Sequence, residues 1–368
     1  MWAVSVSAEV MVTLLRGDAM TRKYISVLAL ALGALTLPAG AASFDCAKAT
    51  TPFENTICDM PDLSAADERL AKAFATATGG LTKPSVNLMR ADQRNWLDFA
   101  QRACTDNAEP LLEGSFDEDG GACLVEKFNG RIDALEQSRM ISGHRFLVKS
   151  VYAALPDPEE VNNPDSYWKV ASHEMVLPLL DDDHALAERF NAYVMEQADA
   201  LSDMMKVMGG GEISDLDGQS DISVNVDVQE VVGTGRISLT VNEYAYGHGA
   251  AHGNYFISYR HYLVGEERGL LASDVFAGDN WEKTLADAAW AKLQAEHKEW
   301  LQVSSVDEIA EAVVEPSRWD FSDSYGLTIQ FEPYEVAAYA YGAPTITIPW
   351  DSLSTIAAES QSAVVYGQ

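Results

Sequence analysis

The stretch Tyr244 to Tyr255 reads YAYGHGAAHGNY and sets two histidines four residues apart among glycines and tyrosines. On a helix, His248 and His252 would share one face, a geometry that suits a zinc ion. His261 would add a third ligand, and the set would describe a metal-dependent hydrolase. The glycines oppose that helix. Gly247, Gly249 and Gly253 all weaken a helix and favour a turn. No glutamate follows His248, so the H-E-x-x-H pattern of zinc proteases is not met. The favoured reading is a glycine-rich turn at a strand end, with His248, Gly249 and His252 offered to a partner.

A second stretch, SFDEDGGACLVE from Ser115 to Glu126, overlays the calcium loop D-x-[DN]-x-[DN]-G-x5-E. Asp117, Asp119, Gly120 and Glu126 match, while Ser115 stands where an aspartate is needed and Cys123 falls inside the loop. Asp117, Asp119 and Glu126 are therefore weak metal candidates beside the simpler reading, an acidic turn between cysteines. No nucleophile elbow, phosphate loop or dinucleotide fingerprint is present. The paired acids of a glycosidase cannot be singled out among 56 carboxylates. The expectation is a binding protein without a cofactor. A last cluster, Pro333 and Tyr334 followed by Tyr339, is aromatic enough for a recognition surface and equally suited to a core.

The elements that must position these residues fall into two styles. Ser64, read as an N-cap, opens a helix that Gly79-Gly80 stops; further helices span about Ser85–Cys104 and Leu124–Leu135. From residue 144 onward, strands are expected at Phe146–Ala153, Glu174–Leu180, Ser223–Val232, Arg236–Tyr246 and Tyr255–Leu263. Pro178 confines its strand to an edge or an end. Gly233-Thr234-Gly235 makes a hairpin turn, and Pro156–Ser166 is a polar loop. Helices are expected at Ala185–Met205, Trp281–Trp300 and Val306–Val314, and closing strands at Leu327–Phe331 and Thr345–Ile348. The fold class is α+β: a small disulfide-stapled helical domain, then a mixed domain with an antiparallel sheet packed by helices.

The 368 residues hold 25 Lys plus Arg against 56 Asp plus Glu, a net charge of −31. Such a field repels nucleic acid and anionic lipid and attracts basic partners. Residues 1–42 read as a secretory leader: Thr21-Arg22-Lys23 is basic, Tyr24–Leu37 apolar, and Ala39-Gly40-Ala41 a cleavage signal. Met20 is then the natural start. Removing residues 1–41 takes away three basic and two acidic residues, so the mature charge is −32. No later apolar run could span a bilayer, and the protein is expected in the periplasm or outside the cell. All four cysteines, Cys46, Cys58, Cys104 and Cys123, lie in the mature chain; an even count in an exported protein reads as disulfides. Three pairings are open, and proximity favours Cys46–Cys58 with Cys104–Cys123. Composition thus divides the mature chain into 43–140 and 141–368.

Two resemblances fit this division. Phe44–Phe74, with Cys46, Glu54, Ile57-Cys58, Leu63 and Asp67, resembles the start of the LprI-like lysozyme-inhibitor domain. Gln93, Arg94, Trp96, Leu97, Cys104, Cys123, Arg131 and Leu135 continue it. Ala100 stands where that family usually carries an arginine, with Arg102 nearby. The second half resembles the extracellular domain of the lysozyme-sensing anti-sigma factors, which is also found beside peptidoglycan deacetylase domains. The residues that carry this are Tyr244, Gly247 and Gly249–Gly253, then Gly269-Leu270-Leu271 with Asp274-Val275-Phe276. Phe331, Pro333-Tyr334-Glu335, Tyr339, Gly342, Ile346 and Ile348-Pro349 complete it. Neither a cytoplasmic segment nor a deacetylase domain accompanies it, so signalling and deacetylation are not expected. Both resemblances imply a partner in the cell envelope: a basic lysozyme, or peptidoglycan as the alternative.

Overall fold

The computed structural model describes residues 42–182 and 185–367. The expected leader lies outside them. The chain begins with four helices: α1 (Pro52–Asp59), α2 (Pro61–Thr78), α3 (Lys83–Ala103) and α4 (Glu118–Glu136). Helix α1, absent from the sequence expectation, carries a complete capping box between Thr51 and Glu54. Helix α2 starts at Pro61, not after Ser64. Proline presets the first helical φ and lacks only an N–H that a helix start cannot use, so Ser64 ends up buried inside the helix. Both expected disulfides are present, Cys46–Cys58 and Cys104–Cys123.

A seven-stranded sheet follows, in the order β1 (Met140–Ile141), β2 (His144–Pro156), β3 (Val170–Leu180), β4 (Ser220–Val232), β5 (Arg236–Gly247), β6 (Asn254–Leu263) and β7 (Arg268–Gly269). All neighbours are antiparallel except β3 and β4, which run parallel over His173–Val176 against Ile222–Asn225. That parallel step needs a crossover. It holds α5 (Ala185–Leu201) and α6 (Met204–Met208), where a single helix was expected. Pro178 sits beyond the end of the β3–β4 ladder, opposite Val148 of β2. β3 is thus interior at one end and an edge at the end that holds the proline.

One face of the sheet packs on α5: Phe190 meets Phe146 and Tyr262 edge-on, over Ile237, Leu239 and Val241. The opposite face carries two separate layers. Over β2 and β3 lie α3 and α4, and Val148 and Val176 join one core with Trp96 and Phe128. The composition change near residue 140 falls at β1, and this core runs across it. Over β5 and β6 lies the C-terminal layer, with α7 (Trp281–Glu296), α8 (Ala310–Val314) and a small sheet. That sheet has the order β10–β9–β8, from β8 (Trp319–Asp320), β9 (Gly326–Gln330) and β10 (Thr345–Pro349). Short α9 (Trp350–Leu353) and α10 (Gln361–Tyr366) complete the layer. No helix among the described residues is long and apolar enough to cross a membrane.

Candidate functional site

The glycine-rich stretch is a turn between β5 and β6. Ala250 N donates to Gly247 O, and Gly249 takes a φ of +77° that glycine adopts without strain. In so tight a turn, four-residue spacing does not bring side chains together. His248 turns inward. Its Nδ1 lies 2.5 Å from Asp157 Oδ2, at the root of the loop joining β2 to β3, and both side chains are buried. Asp157 also accepts from Glu159 N and Glu160 N. Burial alone would raise this carboxyl, but those bonds and the one to His248 outweigh it and hold it below the usual carboxylate range.

His252 turns the other way, into an aromatic cluster. Its ring stacks on Tyr339 at 4.1 Å between centroids, and its Nε2 lies 3.2 Å from the Tyr334 hydroxyl. Tyr339 donates to Gly253 O at 2.7 Å. Tyr244 lies across Gly253 so closely that a Cβ there would overlap its ring. Pro333 is buried and Tyr334 holds a φ of +69°, a strained value for a tyrosine that turns its ring outward, 53% exposed. Tyr341 stacks on Trp300, which packs in turn on His297. The result is a half-exposed aromatic surface joining the turn to the C-terminal layer. Here His252 meets Tyr334 and Tyr339, more than eighty residues further on. Pro333, next to Tyr334 in the chain, is buried, and His248 and Gly249 do not take part.

His261 belongs to neither place. It is buried on β6, with Nδ1 2.9 Å from Ser238 Oγ and Nε2 2.8 Å from Trp319 O. Burial, then the charge of Arg236, pushes its pKa down to about 3. The three histidines therefore have three separate sets of partners. The hydrolase alternative fails on this geometry, because a turn replaced the helix it required.

The weaker calcium reading of residues 115–126 meets a related obstacle. Residues 118–136 are helical, and Asp117 is the N-cap, its Oδ1 accepting from Gly120 N at 2.8 Å. Asp119 lies in the first helical turn and Glu126 in the third, so the backbone cannot wrap an ion as the template does. Acidic residues at a helix start are favoured by the helix dipole, and that physics produced the motif-like string. Among the described residues no three of His, Cys, Asp or Glu gather to hold a metal.

In the helical part, the polar residues behind the resemblance are mostly structural. Arg131, 2% exposed, donates to Gln93 Oε1 (3.0 Å), Ser150 Oγ (2.9 Å) and Tyr152 OH (3.0 Å). It bolts α4 to α3 and β2. Asp92 beside it accepts from Ser150 N, and burial raises its pKa. Ala100 is fully buried, with no space for an arginine. Arg102 instead pairs with Asp98 and Glu109 and donates to Ala108 O, holding the loop after α3. A cleft of about 650 Å³ lies here, between α3 and β2, with Asp98, Phe99 and Arg102 on its wall. A second of about 640 Å³ opens between α5 and α7, with Arg260, Trp281 and Glu282 among its lining residues.

Sequence reasoning overlooked Tyr167 and Trp168. Their loop reads as polar and solvated, yet Tyr167 is 90% exposed. Two adjacent aromatics in such a loop were the available signal.

Two family models match parts of the chain. Residues 46–139 match the family model described as lysozyme inhibitor LprI, and residues 273–351 match a family of proteins of unknown function, DUF3298. The first match ends at β1, and the second spans α7 to α9. Two crystal structures are similar over most of their own length. A DUF3298 family member from Bacteroides fragilis is 16% identical, covering 62% of this chain and 98% of its own, with a TM-score of 0.46. One from Pseudomonas aeruginosa is 13% identical, covering 61% and 98%, with a TM-score of 0.43. No curated protein matches the chain. The two disulfides and the LprI domain point to an extracellular or periplasmic protein. The matched families are an inhibitor type and one of unknown function, and neither is described as enzymatic.

Proposed function

We propose that this protein binds a basic lysozyme and blocks it in the cell envelope. The observation that carries this is the LprI match over 46–139, lying on a helical segment closed by both disulfides. The charge of −31 supports it, since a strongly basic enzyme would be steered to so acidic a surface. The test is lysozyme activity on a cell-wall suspension with increasing amounts of mature protein. Inhibition should be strongest at low salt and weaken as the Debye length falls to about 8 Å near physiological ionic strength. No inhibition and no calorimetric binding at low salt would sink the proposal.

A second reading, a module that binds peptidoglycan without inhibiting, is favoured by one feature: the half-exposed stack of His252, Tyr334 and Tyr339. Flat aromatic rings at a surface suit the faces of sugars. Retention on purified peptidoglycan, abolished by Tyr334→Ala, is the outcome this reading requires.

A further inference from the structure

We infer that two neighbouring acidic loops, residues 105–117 and 157–169, form the surface that docks on the lysozyme; this rests on the inhibitor reading above. One loop follows α3 in the LprI-matching part. The other joins β2 to β3. Lys169 Nζ joins them through Asp106 Oδ2 at 2.9 Å; the lysine side chain is largely buried, while Asp106 stays exposed.

Each loop holds one large apolar side chain almost fully in water: Leu112 at 89% and Tyr167 at 90% exposure, with Trp168 beside it at 39%. These side chains are apolar surface that a partner with a recess would take out of water. Both loops are also held in shape before any partner arrives. The Cys104–Cys123 bond closes the base of the first, and Arg102 fixes its middle through Ala108 O and Glu109. The second is rooted by Asp157, through its N–H to Lys169 O and its carboxylate to His248. Turns at Asn163 and Ser166 lead up to Tyr167. Ordering a loop on binding costs affinity, and here that cost is already met by folding.

Charge identifies the occupant. The two loops carry eight carboxylates and one cation, Lys169, which is already paired. A second copy of this chain would be repelled, as would nucleic acid. A neutral sugar would gain nothing from the charge. A basic protein with a recess gains twice: the carboxylates steer it, and the Leu112 and Tyr167 side chains fill the recess as anchors inside an acidic rim. Both halves of the chain contribute, so the isolated LprI-matching segment would present only half of the surface.

The test is calorimetric titration of the full mature chain into a strongly basic lysozyme at low salt. The variant is L112A/Y167A, and Tyr325→Ala serves as an equally exposed aromatic control on the C-terminal layer. Folding is checked by thermal unfolding, which should not change because neither side chain in the variant is buried. The expected result is binding by the parent and the control, and roughly 30-fold or weaker binding by L112A/Y167A. If the parent binds and L112A/Y167A binds equally well, this surface is overturned while the inhibitor reading stands. If the parent does not bind, the inhibitor reading fails and takes this inference with it.

Discussion

Two buried arginines do similar work on the same face of the sheet and differ in one respect. Arg131 fastens the N-terminal helices to β2 through neutral partners: an amide, a serine and a tyrosine hydroxyl. Arg236 fastens the C-terminal layer to β5. It donates to Val364 O and Ser238 Oγ, pairs with Glu230 and lies over the Phe321 ring. Its neighbour His261 must stay neutral. The junctions should therefore answer acid with opposite signs. Asp92, beside Arg131, has a folded pKa above its unfolded value. The folded state then binds the extra proton as pH falls, and acid relieves a cost. His261 has a folded pKa near 3 against an unfolded value of 6.5. The unfolded state binds the extra proton between those values, so acid removes stability. A layer tied beside a buried acid and a layer tied around a suppressed base form one fold with two pH responses.

The strongest challenge to this comparison is deletion of each arginine. Arg236→Met leaves Glu230 and the last carbonyls of α10 unpaired and should cost about 3–5 kcal/mol in chemical denaturation. Arg131→Met strands three neutral hydrogen-bond partners and removes a positive charge near Asp92, whose carboxyl keeps its bond from Ser150 N; it should cost less, about 2–3 kcal/mol. The reverse order would break the comparison. Next in size is the acid response. Between pH 6.5 and 3, His261 should remove on the order of 4–5 kcal/mol, most of it before the carboxylates titrate. Hydrogen exchange at pH 4.5 should accordingly show the C-terminal layer opening before α3 and α4, and His261→Gln should flatten that difference. A smaller effect is expected at the turn. His248→Ala removes one partner of Asp157, a loss of about 1–2 kcal/mol, and should speed protease cleavage within residues 157–169. Asp119→Ala and added calcium should leave the melting temperature unchanged; a calcium-dependent rise would reinstate the loop reading of residues 115–126.

Alternation made β4 and β5 plain in the sequence, because their inward valines and leucines meet a core on α5 while polar residues alternate with them. The cysteines were equally readable, since short loops favour the pairing found. The glycines were enough to favour the turn, but spacing without context could not say where its side chains go. His248 and His252 look coupled at four residues apart, but the turn sends one to Asp157 and the other to Tyr334 and Tyr339, 82 and 87 residues further on. The Asp117–Glu126 string matched part of a calcium template because a helix start also selects acids. Helix α1 was missed although Thr51 and Glu54 spelled its capping box, since a helix of eight residues shows little periodicity. The adjacency of the loops carrying Leu112 and Tyr167 was not readable at all. It depends on where β2 and β3 end, and on the contact between Lys169 and Asp106.

The parallel step between β3 and β4 bears on how the chain assembles in time. Within the sheet, β1 to β3 and the meander from β4 to β6 each close through antiparallel neighbours near in sequence. Only four residue pairs, His173–Val176 against Ile222–Asn225, stitch the main sheet across the crossover. Contacts that close long loops form late. We therefore expect two half-sheets to arise first, and this narrow seam to form in a later phase together with the helix-to-sheet contacts such as Ser150 to Asp92. Val176→Ala and Val224→Ala at the seam should slow that phase more than equal losses within either half, and stopped-flow refolding would show whether they do.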